Sequence, residues 1–194
     1  MKIIGITGGI GCGKSEVLRY MEGRGAYIIE ADKLAHSLMR KGQSTYDTVV
    51  ASFGKGILSE DGEIDRSKFA KVVFNNEDKL KKLNNIVHPA VKKYILNDIC
   101  NKKKAGDIKF YIIEAALLIQ DGYKEICDEI WFIYADTRTR LERLVMSRGG
   151  DEAKYISVMK NQASDDYYIS NSDVVIDNNG DFEKTQNVLK GLLN

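Results

Sequence analysis

The chain has 194 residues with 29 basic and 28 acidic side chains, a formal net charge of +1. That length holds one α/β domain with room for inserts, and the near-cancelled charge gives no global field to recruit nucleic acid or a membrane surface. Cys12, Cys100 and Cys127 are too widely spaced for a disulfide framework or a zinc site, and no apolar stretch approaches a membrane span, so a cytoplasmic protein is expected.

The first predicted strand is Lys2–Thr7, which leaves no room for a signal peptide before it. It runs into Gly8-Gly9-Ile10-Gly11-Cys12-Gly13-Lys14-Ser15, a match at every fixed position to G-x-x-x-x-G-K-[ST] in the strand-to-helix context that the pattern requires. Glycines let successive N–H groups turn inward to cradle phosphate oxygens, where side chains would clash with the ligand. Lys14 reaches the β- and γ-phosphates, the Ser15 hydroxyl can ligate Mg²⁺, and the helix that starts there adds its positive end. Gly9, Ile10, Gly11, Cys12, Gly13, Lys14, Ser15 and the adjoining Glu16 are the expected ATP-binding stretch. Cys12, surrounded by N–H groups, is expected to be a reactive thiol.

Helix Lys14–Glu22 should bury Val17, Leu18 and Met21 and stop at Gly23 and Gly25. A second strand, Tyr27–Glu30, is followed by Asp32. The C-terminal edge of a parallel sheet is where ligands bind, and a carboxylate there can accept a proton from an attacking hydroxyl. The competing reading makes Asp32 the N-cap of a helix from Lys33. Residues 33–105 contain no convincing strand and are far longer than a βα connection needs. They read as a helical insertion walling an acceptor cleft, with Leu80, Leu83, Ile86 and Val87 at helical spacing and His36 on a helix surface. Pro89, the only proline, suits a first helical position after His88.

Strands at 109–114, Glu129–Tyr134 and Val174–Asp177 complete the alternation of strand and helix that signals parallel βαβ units. A helix is expected from about Thr137, a polar lid segment at 143–172, and a last helix at about 182–193 with Asp181 as N-cap and Val188, Leu189 and Leu192 on its apolar face. The fold class is therefore α/β, a five-stranded parallel sheet flanked by helices in the manner of P-loop nucleotide kinases. A GTPase is disfavoured because 101–104, Asn-Lys-Lys-Lys, lacks the aspartate of N-K-x-D, and Asp177-Asn178-Asn179-Gly180 follows the last strand instead of forming a switch.

Several of these patterns together resemble dephospho-CoA kinases: the loop from Thr7, Ala31-Asp32, the segment Leu83-Asn84-Asn85-Ile86-Val87-His88-Pro89-Ala90-Val91, Leu141-Glu142-Arg143-Leu144, Arg148, Gln162, and the stretch from Asp173 to Gly180. The resemblance covers essentially the whole chain. It implies ATP-dependent phosphorylation of the ribose 3′-hydroxyl of dephospho-CoA, with Asp32 as base and Lys14 and Ser15 at the phosphates and Mg²⁺. It also places Arg143 and Arg148 in a lid over ATP, Asn178 near the adenine, and His88 and Leu117 with the acceptor. Another small-molecule acceptor, or ATP binding with little turnover, stays open. The chain departs from the family pattern in four places: Glu114-Ala115-Ala116-Leu117-Leu118-Ile119-Gln120 replaces D-x-P-L-L-x-E; Glu16 replaces a small hydroxylated residue; Tyr168-Ile169 replaces a basic pair; and Val158 replaces an arginine.

Overall fold

Runs of Ile, Tyr, Phe and Trp suit strands buried on both faces, and they form β1 (Lys2–Thr7), β2 (Tyr27–Glu30), β3 (Phe110–Glu114), β4 (Glu129–Tyr134) and β5 (Val174–Asp177). The computed structural model describes residues 1–73 and 76–193. The strands make one sheet in the order β2-β3-β1-β4-β5. Parallel registers pair Ile4 with Ile112 on one side and with Glu129 on the other. Ile4, Ile6, Ile112, Trp131 and Ile133 are fully buried. Two acids at strand entrances fix the stagger: Asp128 Oδ2 accepts the Ile3 N–H at 2.7 Å, and Asp173 Oδ2 accepts the Ile130 N–H at 2.7 Å.

Two compact units divide the chain, one of residues 1–29 and 102–194 and one of 30–101. In the first, α1 (Lys14–Glu22) buries Val17, Leu18 and Met21, and α9 (Phe182–Leu192) buries Thr185 and Leu189. Val188, expected on the apolar face of α9, is 48% exposed, and Leu193, one turn beyond Leu189, takes the inward place. Helices α6 (Thr137–Arg148), α7 (Glu152–Lys160) and α8 (Asp165–Ser170) start at Asp136, Asp151 and Ser164, whose side chains each accept a first-turn N–H. Among the described residues no helix is long and apolar enough to cross a membrane.

The second unit holds α2 (Ala31–Leu38), α3 (Ser44–Phe53), α4 (Arg66–Val73) and most of α5 (Glu77–Ala105). Pro89 does not open a helix: α5 starts twelve residues earlier and runs straight through it. The stripe Val87, Val91, Ile95 and Ile99 is buried along one face, and that continuous burial outweighs the one ladder bond the ring removes. Pro89→Ala restores an N–H to the Asn85 carbonyl and should raise stability by about 1–3 kcal/mol. The check is a higher urea midpoint at unchanged m-value; a lower midpoint contradicts it.

Candidate active site

At the end of β1 the chain turns through Gly11 and Gly13, with φ of 80° and 92°, a region glycine enters without strain. The turn delivers Lys14 to the first position of α1. The first intrahelical bond runs from the Glu16 N–H to the Gly13 carbonyl at 3.0 Å. The N–H groups of Lys14 and Ser15 precede it and stand at the open, positive end of the helix. Ser15 and Glu16 are both exposed. Lys14 Nζ donates to the Gly8 carbonyl at 2.7 Å and stands 3.9 Å from Glu114 Oε1, in a setting where the two side chains are 17% and 12% exposed. Glu114 thus keeps a carboxylate beside the loop lysine, from the end of β3.

Asn178, expected near the adenine, is 1% exposed beneath the loop. Its Nδ2 donates to the Cys12 carbonyl at 2.8 Å, and its Oδ1 accepts the Thr185 hydroxyl at 2.8 Å. A Cβ added to Gly13 would meet Asn178 Nδ2 at 2.2 Å, so this glycine is required by the protein's own packing as well as by its φ. Arg143 Nη1 comes within 3.5 Å of the same carbonyl. Arg148, at the C-terminal end of α6, is exposed.

Arg140 touches the loop and was not singled out by the sequence reading. It is 6% exposed; its Nε donates to the Ile10 carbonyl at 2.9 Å, and its Nη2 donates to Gln162 Oε1 at 2.9 Å. The Ile10 N–H donates to the same Gln162 oxygen at 2.9 Å. Ile10, expected to face phosphate, therefore directs its N–H at a side chain. The available signal was spacing: Arg140 is three residues before Arg143 on one helix and shares its face.

Tyr168 and Gln120, two of the departures from the family pattern, are neighbours. Burial raises the pKa of the Tyr168 phenol, and the Gln120 side chain beside it acts the other way. The ring is 2% exposed and stacks on Phe132 at 5.0 Å and 13°. A residue in this place packs α8 on β4; a lysine or arginine would have to leave it. Val158 is 37% exposed on α7.

In the second unit, α2 begins at Ala31 with Glu30 as its N-cap. Asp32 is consequently an exposed residue of the first turn and not the cap, which removes the capping explanation for it. Four residues on along the helix stands His36, and Met39 and Arg40 follow just past its end at Leu38; all three line a cavity of about 610 Å³. Arg66 and Glu63 add charge to that cavity, while Phe69, Val73 and Leu83 make its wall apolar. His88 is half-buried within α5, and Leu117 is 48% exposed after β3.

Cys12 is 1% exposed, with its Sγ 2.7 Å from where a Gly8 Cβ would stand. The expectation of a reactive loop thiol fails because the side chain turns down into the core cluster of Ile4, Val17 and Trp131. Cys100 is exposed, whereas burial pushes the Cys127 thiol up to about 12. Iodoacetamide on the native protein should label Cys100 within minutes and leave Cys12 and Cys127 unmodified until denaturant is added, read by peptide mass spectrometry. Native labelling of Cys12 at the rate of Cys100 would contradict its burial.

A family model described as dephospho-CoA kinase matches residues 2–184. A dephospho-CoA kinase of Aquifex aeolicus is 43% identical over 190 residues, covering 98% of this chain and 95% of that protein. One from Carboxydothermus hydrogenoformans is 37% identical over 193 residues, covering 100% and 93%. Among solved structures, the dephospho-CoA kinase from Campylobacter jejuni superposes with a TM-score of 0.74 at 23% identity, covering 100% of this chain and 96% of that one. A shikimate kinase from Acinetobacter baumannii gives 0.51 at 14% identity, covering 100% and 93%, a likeness of fold alone. The glycine loop and the parallel sheet behind it are thus those of a kinase, and full-length relatives at this identity place the chain in the dephospho-CoA kinase family.

Proposed function

We propose that Asp32, Lys14 and the loop amides carry out the reaction of this enzyme's family, in which ATP phosphorylates the 3′-hydroxyl of dephospho-CoA to give coenzyme A and ADP, the last step of coenzyme A synthesis. The observation that carries the residue assignment is the place of Asp32 on α2, one turn before His36, which lines the cavity together with Met39 and Arg40 just past the helix end. That cavity offers Arg40 and Arg66 to anionic oxygens and an apolar wall to an uncharged arm. Dephospho-CoA, a diphosphate with a long pantetheine chain, has both. We assign residues 33–105 to acceptor binding, with His88 and Leu117 as further contacts, and residues 143–172 to a lid.

Asp32 takes the proton of the 3′-hydroxyl as its oxygen bonds to the γ-phosphorus, and the bond to the bridging β,γ-oxygen breaks to release ADP. Lys14 and the N–H groups opening α1 stabilise charge on the transferred group. Arg143, already at the Cys12 carbonyl, and Arg148 on the following turn supply further positive charge from α6. Among the described residues there is no cluster of three His, Cys, Asp or Glu fit to hold a metal. Mg²⁺ binds through one or two protein oxygens together with phosphates and waters. The exposed Ser15 hydroxyl is the protein oxygen we assign to it. When bound, the ion neutralises charge on the β- and γ-oxygens. Three unbridged cysteines support a reducing, cytoplasmic setting.

ADP release coupled to a panel of acceptors tests the reading: dephospho-CoA should drive turnover well above AMP or gluconate. Asp32→Asn should lower kcat by ~10²–10⁴ with ATP affinity changed less than about twofold, and a wild-type kcat would remove the base role. Arg40→Ala should raise KM for dephospho-CoA by roughly tenfold and leave KM for ATP in place. Equal effects on both substrates would detach the cavity from the acceptor.

A further inference from the structure

We propose that Arg140 and Gln162 are positioning residues that clasp Ile10 and set the phosphate loop in its binding shape before ATP arrives. The inference rests on the reading of that loop as the ATP site. Three hydrogen bonds make the clasp. The peptide groups on either side of Ile10 are both held, the N–H by Gln162 Oε1 and the carbonyl by Arg140 Nε, each at 2.9 Å. Arg140 Nη2 closes the ring by donating to the same Gln162 oxygen at 2.9 Å. A 6%-exposed guanidinium is costly unless its donors are answered. Here two answers come from the clasp, and Asp165 Oδ1, 3.8 Å from Nη1, supplies the countercharge.

Gly9 records the same interaction. A Cβ added there would meet Arg140 Nη2 at 2.4 Å, Cζ at 2.5 Å and Nη1 at 2.8 Å. Gly9 is not among the glycines with positive φ, so its backbone would accept alanine; the guanidinium pressed on its Cα would not. Gly9, at a variable position of the motif, is therefore kept open for a protein side chain and not for phosphate. Ile10, with its N–H turned to Gln162, is an anchor that leaves phosphate contact to the amides opening α1. The clasp comes from α6, from the turn after α7 and from the start of α8, so it ties the proposed lid segment to the loop. A loop fixed in this way loses less freedom when it binds.

The test is ATP affinity by equilibrium titration, in the full chain, for Gln162→Ala, Arg140→Ala, Gly9→Ala and the Gly9→Ala/Arg140→Ala double variant. Gln162→Ala, at a half-buried turn, and Arg140→Ala should each weaken ATP binding roughly tenfold, the scale of one or two lost hydrogen bonds, with KM for dephospho-CoA within about twofold of wild type. Amide exchange at Ile10 should quicken in Gln162→Ala. Arg140→Lys should not restore affinity, because an ammonium cannot bridge the Ile10 carbonyl and Gln162 as the planar fork does. Gly9→Ala should weaken ATP binding in the wild-type background and cost little more when Arg140 is already alanine, a non-additivity expected only of groups in contact. The proposal is overturned if Gln162→Ala keeps wild-type ATP affinity, or if Gly9→Ala costs the same in both backgrounds. A wild-type chain that neither binds ATP nor turns over dephospho-CoA would overturn the function proposed above instead, and Ile10 exchange would still decide the clasp.

Discussion

Every peptide in the turn after β1 carries both an N–H and a C=O, and an anion site needs the first kind turned inward and the second kind answered elsewhere. The structure answers five of the carbonyls between Gly8 and Gly13 one at a time. Lys14 Nζ takes that of Gly8, the Cys12 N–H that of Gly9 at 3.3 Å, and Arg140 that of Ile10. Asn178 takes that of Cys12, and the first turn of α1 takes that of Gly13. These donors come from the loop itself, from α6 and from the segment after β5. The anion site is consequently a property of the whole α/β unit around the loop. An isolated glycine-rich peptide with the same motif would have water, and not side chains, at those carbonyls.

The same accounting changes what the glycines mean. Phosphate clearance is the usual reason for glycine in such a loop, but a Cβ at Gly8 meets Cys12 Sγ and the Ile133 carbonyl, each at 2.7 Å. At Gly9 it meets Arg140, and at Gly13 it meets Asn178. All three obstacles belong to the protein. The groups that hold the carbonyls have to come close to the backbone to do so, and glycine is the residue that lets them. Close support and glycine spacing are one requirement seen from two sides.

This explains which parts of the molecule could be read in advance. Four of the five strands and α1 match their expected bounds because buried parallel strands are continuous apolar runs, and because a glycine stop ends the helix. Lys14 and Ser15 were legible from the motif alone. Other features depend on partners distant in the chain. Arg140 lies 130 residues from Ile10, and Asn178 lies 166 from Cys12; no local pattern announces either bond. Pro89 misled because a rule about helix starts is local, whereas the buried stripe on α5 is long enough to carry a proline through its middle. At Asp32 the sequence left two readings open, because a capping residue and a first-turn residue have the same neighbours in sequence, and only the start of α2 at Ala31 separates them.

The departures from the family pattern acquire a physical form in the same terms. An acid after β3 and a basic pair before β5 are replaced here by Gln120 and by Tyr168-Ile169, and Gln120 and Tyr168 are neighbours. One negative and two positive sites have given way to neutral side chains, so the segment loses positive charge as the chemistry changes. The phenol ring, stacked on Phe132, fastens α8 to β4. Asp165, which faces Arg140, starts that helix. A basic side chain at 168 would reach for phosphate and leave α8 to be held some other way. With tyrosine there, α8 becomes part of the scaffold behind the loop, and Lys14, Arg140 and Arg143 are the cations that the structure sets against it.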